Sequence, residues 1–77
     1  MLTKPKKRSL TIKGHRTSVT LEDKFWEEFR KIAYRKKISV NELASQLDST
    51  RELNSVSLAS LIRNLVLVDL LNRLEDI

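Results

Sequence analysis

The sequence predicts a mainly α-helical domain, led by one N-terminal β-strand and completed by a second copy of itself as an intertwined homodimer. Three observations point there. Residues 16–21, Arg-Thr-Ser-Val-Thr-Leu, alternate polar and apolar with a period of two, which is the pattern of a half-buried strand. After Leu21 the apolar residues recur at helical spacing in three stretches. Finally, 77 residues with no cysteine give a thin core with no disulfide staple, so oligomerisation is the remaining route to stability.

The positive charge is concentrated at the front. Lys4, Lys6, Lys7, Arg8, Lys13 and Arg16 occur before any acid, whereas the rest of the chain carries nine bases against ten acids. This asymmetry is expected of a segment that meets a polyanion. Residues 1–7, with the single proline Pro5 beside three lysines, read as a flexible basic arm, and residues 8–77 as one folded domain. Lys4, Lys6, Lys7, Arg8 and Lys13 form the set of arm cations. The basic start is followed by no apolar h-region, and Asn64 and Asp69 interrupt the apolar C-terminal stretch, so neither a signal peptide nor a membrane span is expected.

In the strand, Thr17, Val19 and Leu21 fall on one face and Arg16, Ser18 and Thr20 on the other. An earlier alternation, Leu10 and Ile12, has the opposite parity, so Gly14 marks either a bulge or a turn between two strands. One strand alone leaves both edges unpaired. Its partner is either Leu10–Ile12 folded back as a hairpin or the same strand of a second copy about a two-fold axis. The intermolecular ribbon is favoured, because Gly14 is preceded by neither Asn nor Asp, the strongest hairpin signals.

The first helix is expected from about Glu22 to Lys36. It opens with acids that suit the positive end of its dipole, closes with Arg35, Lys36 and Lys37, and carries an apolar stripe of Phe25, Phe29, Ile32 and Ala33 widened by Trp26. Ser39-Val40-Asn41-Glu42 is a capping box that starts a second helix with Val40, Leu43, Ala44 and Leu47 as its apolar stripe, ended by Asp48-Ser49-Thr50-Arg51. Residues from Asn54 to Ser57 offer caps for a third helix running to about Leu74. Its apolar residues, Leu58, Leu61, Ile62, Leu65, Val66, Val68, Leu70 and Leu71, spread over more than one stripe and need cover on two sides. The expected dimer core is Val19, Leu21, Phe25, Trp26, Phe29, Leu43, Leu47, Leu61 and Leu65.

The succession of Arg16–Leu21, an acidic helix start, and Ile38-Ser39-Val40-Asn41-Glu42 resembles the ribbon-helix-helix DNA-binding proteins, the Arc and MetJ superfamily. Gly14–Glu22 and Leu58–Leu67 look like a bacterial branch of that group with an additional C-terminal helix. The resemblance covers roughly residues 8–70. It implies an antiparallel ribbon, one strand from each subunit, lying in the major groove of double-stranded DNA, with Arg16, Ser18 and Thr20 on base edges. Those residue types suit the task, since Arg bonds bidentately to guanine and hydroxyls serve donor or acceptor edges. It also implies phosphate contacts at the start of the second helix, from Ser39, Val40 and Asn41 with Lys36 and Lys37 beside them. Two departures stand out: Lys37 and Ile38 occupy a turn where the family often has glycine, and Asp48–Asn54 separates the second helix from the third.

The function so implied is sequence-specific DNA binding, as a cytoplasmic, nucleoid-associated transcriptional repressor. The alternative is a protein-interaction module, an antitoxin or adaptor, that offers its C-terminal helix to a protein partner. His15 is the single histidine, so no metal site is expected and no cofactor is called for. No nucleophile with a neighbouring base, no glycine-rich phosphate loop and no paired carboxylates offer a catalytic centre. An enzyme is therefore not expected.

Overall fold

The computed structural model describes residues 4–51 and 56–75. Their order is β1 (Lys6–Ile12), β2 (His15–Leu21), α1 (Asp23–Lys36), α2 (Val40–Asp48) and α3 (Leu58–Glu75). Two strands therefore stand where one was expected, and they pair with each other antiparallel, from Ile12↔His15 at the turn to Lys6↔Leu21 at the open end. The two-stranded ribbon is thus completed within one chain, and residues 6–12 occupy the place expected of a second copy's strand. The reason lies in the two-residue loop. Lys13 and Gly14 both have positive φ, 52° and 80°, the backbone of a hairpin turn whose twist matches that of the strands it joins. Gly14 adopts this conformation freely, and Lys13 takes the position in which Asn or Asp is the usual signal. The parity switch at Gly14 is a turn and not a bulge.

β1 begins at Lys6, inside the segment read as an arm, of which residues 1–3 lie outside the described residues. Leu10, Ile12, Val19 and Leu21 point inward from the hairpin and are buried. α1 and α2 lay Phe29, Ile32, Ala33, Leu43 and Ala44 on them, and α3 adds Leu58, Ile62 and Val66. Of the residues expected in a dimer core, Val19, Leu21, Phe29 and Leu43 are therefore buried within a single chain, while Phe25, Trp26, Leu47, Leu61 and Leu65 are half-buried against the same core.

The turn from α1 to α2 keeps the left-handed step despite lacking glycine. Lys37 has φ 59° and ψ 38°, its N–H donates to the Tyr34 carbonyl at 3.0 Å, and the Ile38 N–H donates to the Ala33 carbonyl at 3.1 Å. This pair of bonds is the Schellman closure of a helix C-terminus, and half-buried Ile38 completes it against the core. Ser39 then caps α2 by accepting from the Glu42 N–H at 3.0 Å. Ser57 caps α3, its Oγ accepting from the Ser60 N–H at 3.1 Å; the other expected cap candidates, Asn54 and Ser55, lie outside the described residues.

α3 is apolar around most of its circumference, and only one side is covered. Leu58, Ile62 and Val66 face the core, whereas Leu67, Leu71 and Leu74 are 52%, 49% and 64% exposed, with Leu70 and Val68 beside them. The four leucines at 67, 70, 71 and 74 have the i, i+3, i+4, i+7 spacing of one continuous helix stripe. The apolar residues of this helix do spread over more than one side, and within the single chain one of those sides is open. No described helix is long and apolar enough to cross a membrane.

Candidate nucleic-acid interface

Strand pairing decides which side chains share a face. Arg16, Ser18 and Thr20 lie on the side of β2 away from the core, and all three are exposed. Directly opposite them on β1 are Thr11, Ser9 and Lys7, also exposed. The outer face of the hairpin is therefore two parallel rows of three, composed of four hydroxyl side chains and two cations, with no acid and no large apolar residue among them. Lys13 at the turn adds a third charge. Sequence reading singled out the β2 row alone. The signal for the second row was present in the alternation of Leu10 and Ile12, which sends Ser9 and Thr11 outward as soon as residues 6–12 are taken as a strand.

The open end of the hairpin holds its acids in ion pairs. Asp23 accepts from Arg8, which also reaches the Leu21 carbonyl at 3.3 Å, and from Lys6 at 3.3 Å. The Arg8 guanidinium lies 5.6 Å from the centre of the Trp26 ring, and its side chain is only 16% exposed. Arg8, counted among the arm cations, thus points inward and serves the fold. Glu22, which precedes α1 in extended conformation, makes no side-chain cap; its carboxylate instead takes Nε and Nη2 of Arg63 at 3.0 and 2.9 Å. The hydrogen bond from Arg8 chiefly, then Lys6, holds the Asp23 carboxyl below its ordinary range against the opposing effect of burial. Glu22 is lowered first by hydrogen bonding to its own backbone and then by Arg63. Both acids are therefore charged at neutral pH and matched by neighbouring cations.

The start of α2 is fastened to the sheet. Thr11 N–H points away from the hairpin and donates to Asn41 Oδ1 at 2.9 Å, so the positive end of α2 sits beside the outer edge of β1. The N–H groups of Val40 and Asn41 are in the first turn, where a helix has no acceptor of its own. Ser39 and Asn41 are exposed and Val40 is half-buried, with Lys36 and Lys37 exposed just before them. The start of α2, named from the sequence, thus lies beside the outer edge of β1, the strand that pairs with the β2 row. His15, opposite Ile12 at the turn, is exposed.

A family model for the ribbon-helix-helix domain matches residues 5–70. The chain belongs to the ribbon-helix-helix family. That match spans the hairpin, α1, α2 and most of α3, so the third helix lies largely within the family's domain. No curated protein and no solved structure matches the chain. The ribbon-helix-helix family is one of DNA-binding regulators.

Proposed function

We propose that this ribbon-helix-helix protein is a sequence-specific transcriptional repressor that binds double-stranded DNA as a homodimer and reads the major groove with the outer face of its hairpin. The observation that carries this reading is the acid-free row Arg16, Ser18 and Thr20, exposed on the face opposite the buried Val19 and Leu21. A major groove about 12 Å wide admits a two-stranded ribbon. Arg16 supplies the bidentate fork that guanine accepts, and the two hydroxyls serve other base edges. The backbone N–H groups of Val40 and Asn41 and the cations Lys36 and Lys37 hold phosphates, which sets register but carries no sequence information. Ser39 contributes by holding that helix start open to the anion.

A second copy is called for by α3. Its open leucine stripe is large for a lone chain of this size, and covering it with the same stripe of a partner would give an isologous contact. The same stripe supports the second reading, a protein partner docked on α3. Selection of binding sites from random duplexes, with the mass of the protein in solution measured alongside, separates the two. A selected sequence bound by a dimer is expected; Arg16→Ala should then relax the preference, and Lys36→Ala should weaken every duplex alike. If the dimer neutralises about 6–10 phosphates, affinity should fall by about 10³–10⁵ between 50 and 200 mM salt. Failure to retard any duplex at low salt and micromolar protein overturns the DNA-binding reading.

A further inference from the structure

We infer that the groove between the last turns of α1 and the start of α2 is a binding site for a small, flat, apolar carboxylate, whose ring lies against Tyr34 and whose anion is taken by Arg30. The site involves neither the outer face of the hairpin nor the open leucine stripe of α3, and it stands or falls apart from the DNA-binding reading.

The groove has a volume of about 580 Å³, inside the range of about 300–1,000 Å³ usual for small-molecule sites. Its lining comes entirely from residues 27–40. Ala33, which is buried, and Ile38 and Val40, which are half-buried, supply apolar wall. Their side chains have no polar group to offer, so a ligand that is polar all round loses water there and gains nothing in return. Tyr34 lines the same groove and is 85% exposed, more than any other large hydrophobic side chain among the described residues. A flat ring laid on it would take apolar surface of both partners out of water and add an aromatic contact.

The charges around the groove set the sign of the ligand. Arg30, Lys31 and Arg35 line it against the single acid Glu27. The three cations are not equally free. Arg35 donates to Asp69 at 2.7 Å and so ties α1 to α3, while Lys31 lies 3.2 Å from Glu28. Glu27 has Lys24 at 3.7 Å. Arg30 is exposed and has no ion pair and no side-chain hydrogen bond among the described residues. It is one helical turn before Tyr34, which sets their Cβ atoms about 5–6 Å apart on one side of α1. A carboxylate joined to a ring by a short spacer therefore meets both residues at once, and the guanidinium fork matches its two oxygens.

The test titrates isotope-labelled full-length protein with phenylacetate, its uncharged amide phenylacetamide, and acetate, reading backbone amide shifts. Phenylacetate should give saturable shifts confined to residues 27–40, with a dissociation constant below about 1 mM. Phenylacetamide should bind about tenfold more weakly for want of the charged hydrogen bonds, and acetate, which has no ring, should not saturate below about 10 mM. Arg30→Gln should weaken phenylacetate about tenfold and leave phenylacetamide unchanged, a difference that a structural role for Arg30 would not produce. Tyr34→Ala should weaken both ring compounds by about two- to tenfold, and Tyr34→Phe should bind like the wild type. Both side chains are exposed, so the variants are expected to fold, and the same spectra check this. The comparison of phenylacetate with its amide on the wild type needs no variant. Equal affinity for the two, shifts as large outside residues 27–40 as within, no saturation by phenylacetate below about 10 mM, or an unaltered Arg30→Gln each overturns the inference. Shifts at the start of α2 that acetate reproduces in full also overturn it, since they would report an anion at a helix end and no groove. Retardation of duplex DNA is measured separately, and its outcome leaves this inference untouched.

Discussion

Arg63 of α3 reaches back across the chain to Glu22, donating through both Nε and Nη2 to one carboxylate oxygen, while Nη2 also approaches the Thr20 carbonyl at 3.4 Å. The same guanidinium lies 5.8 Å from the centre of the Phe25 ring. One side chain therefore ties the third helix to the end of β2 and the start of α1. Replacing it with Met, which keeps much of the stem, should loosen α3 while leaving the hairpin intact. The expected result is a lower urea midpoint together with faster amide exchange confined to α3; uniform loss of protection across the whole chain would show that α3 is no separate unit.

Acid should weaken the fold through Glu22 and Asp23. Both carboxyls titrate lower in the folded chain than in an unfolded one, so the folded state binds their protons less readily. Their stabilising contribution is complete above the ordinary carboxylate pKa of about 4 and disappears as pH falls through the lower folded values. The urea midpoint should thus drop below about pH 4, and Asp23→Asn should show a shallower drop than the wild type. Equal acid sensitivity in the two proteins would remove Asp23 from this account.

The two non-glycine residues with positive φ among the described residues, Lys13 and Lys37, are sites for stabilisation. Relief of about 1–2 kcal/mol of left-handed strain, offset by about 0.4–1 kcal/mol of added chain entropy, leaves a net gain of about 0.5–1 kcal/mol for Lys37→Gly. Lys13→Asn should gain a similar amount without the entropic loss. Chemical denaturation measures both, and a destabilised Lys37→Gly would mean that the lysine side chain contributes more than its backbone strain costs.

Leu71 tests the dimer. Each of the half-exposed leucines on the open face of α3 stands to gain about 1 kcal/mol on being covered, roughly half of full burial. Leu71→Lys should raise the dissociation constant of a dimer sealed there by about tenfold or more while leaving the fold unchanged, since Leu71 is 49% exposed in the single chain. Sedimentation equilibrium reads the change; a mass unaffected by the substitution would place the subunit contact elsewhere.

The helices were legible because their signals are local. The Ser39 cap, the stripe of Phe25, Phe29, Ile32 and Ala33, and the two-sided character of the third helix each follow from spacing alone. The hairpin was not legible in the same way. Its turn depends on Lys13 taking a conformation for which lysine has no preference, and the pairing of residues 6–12 with residues 15–21 is stabilised by tertiary contacts that propensity does not register: Arg8 with Asp23, Thr11 with Asn41, and Leu10 and Ile12 in the core. The same blind spot hid the second row of the outer face and counted Arg8 as a free cation. The site was half visible, since the residues of β2 were named from their period, while their neighbours came into view only with the register.

A ribbon closed by a two-residue loop also bears on how the protein assembles. Its strand pairing joins segments close in sequence, so the sheet can form before any encounter between molecules, and the entropy of closing so short a loop is small. For the proposed homodimer, folding and association would then be separable events: the hairpin would appear at a rate independent of dilution, and only the joining of two finished protomers would follow the concentration of the protein. Newly made chains would not have to wait for a sibling in order to become ordered.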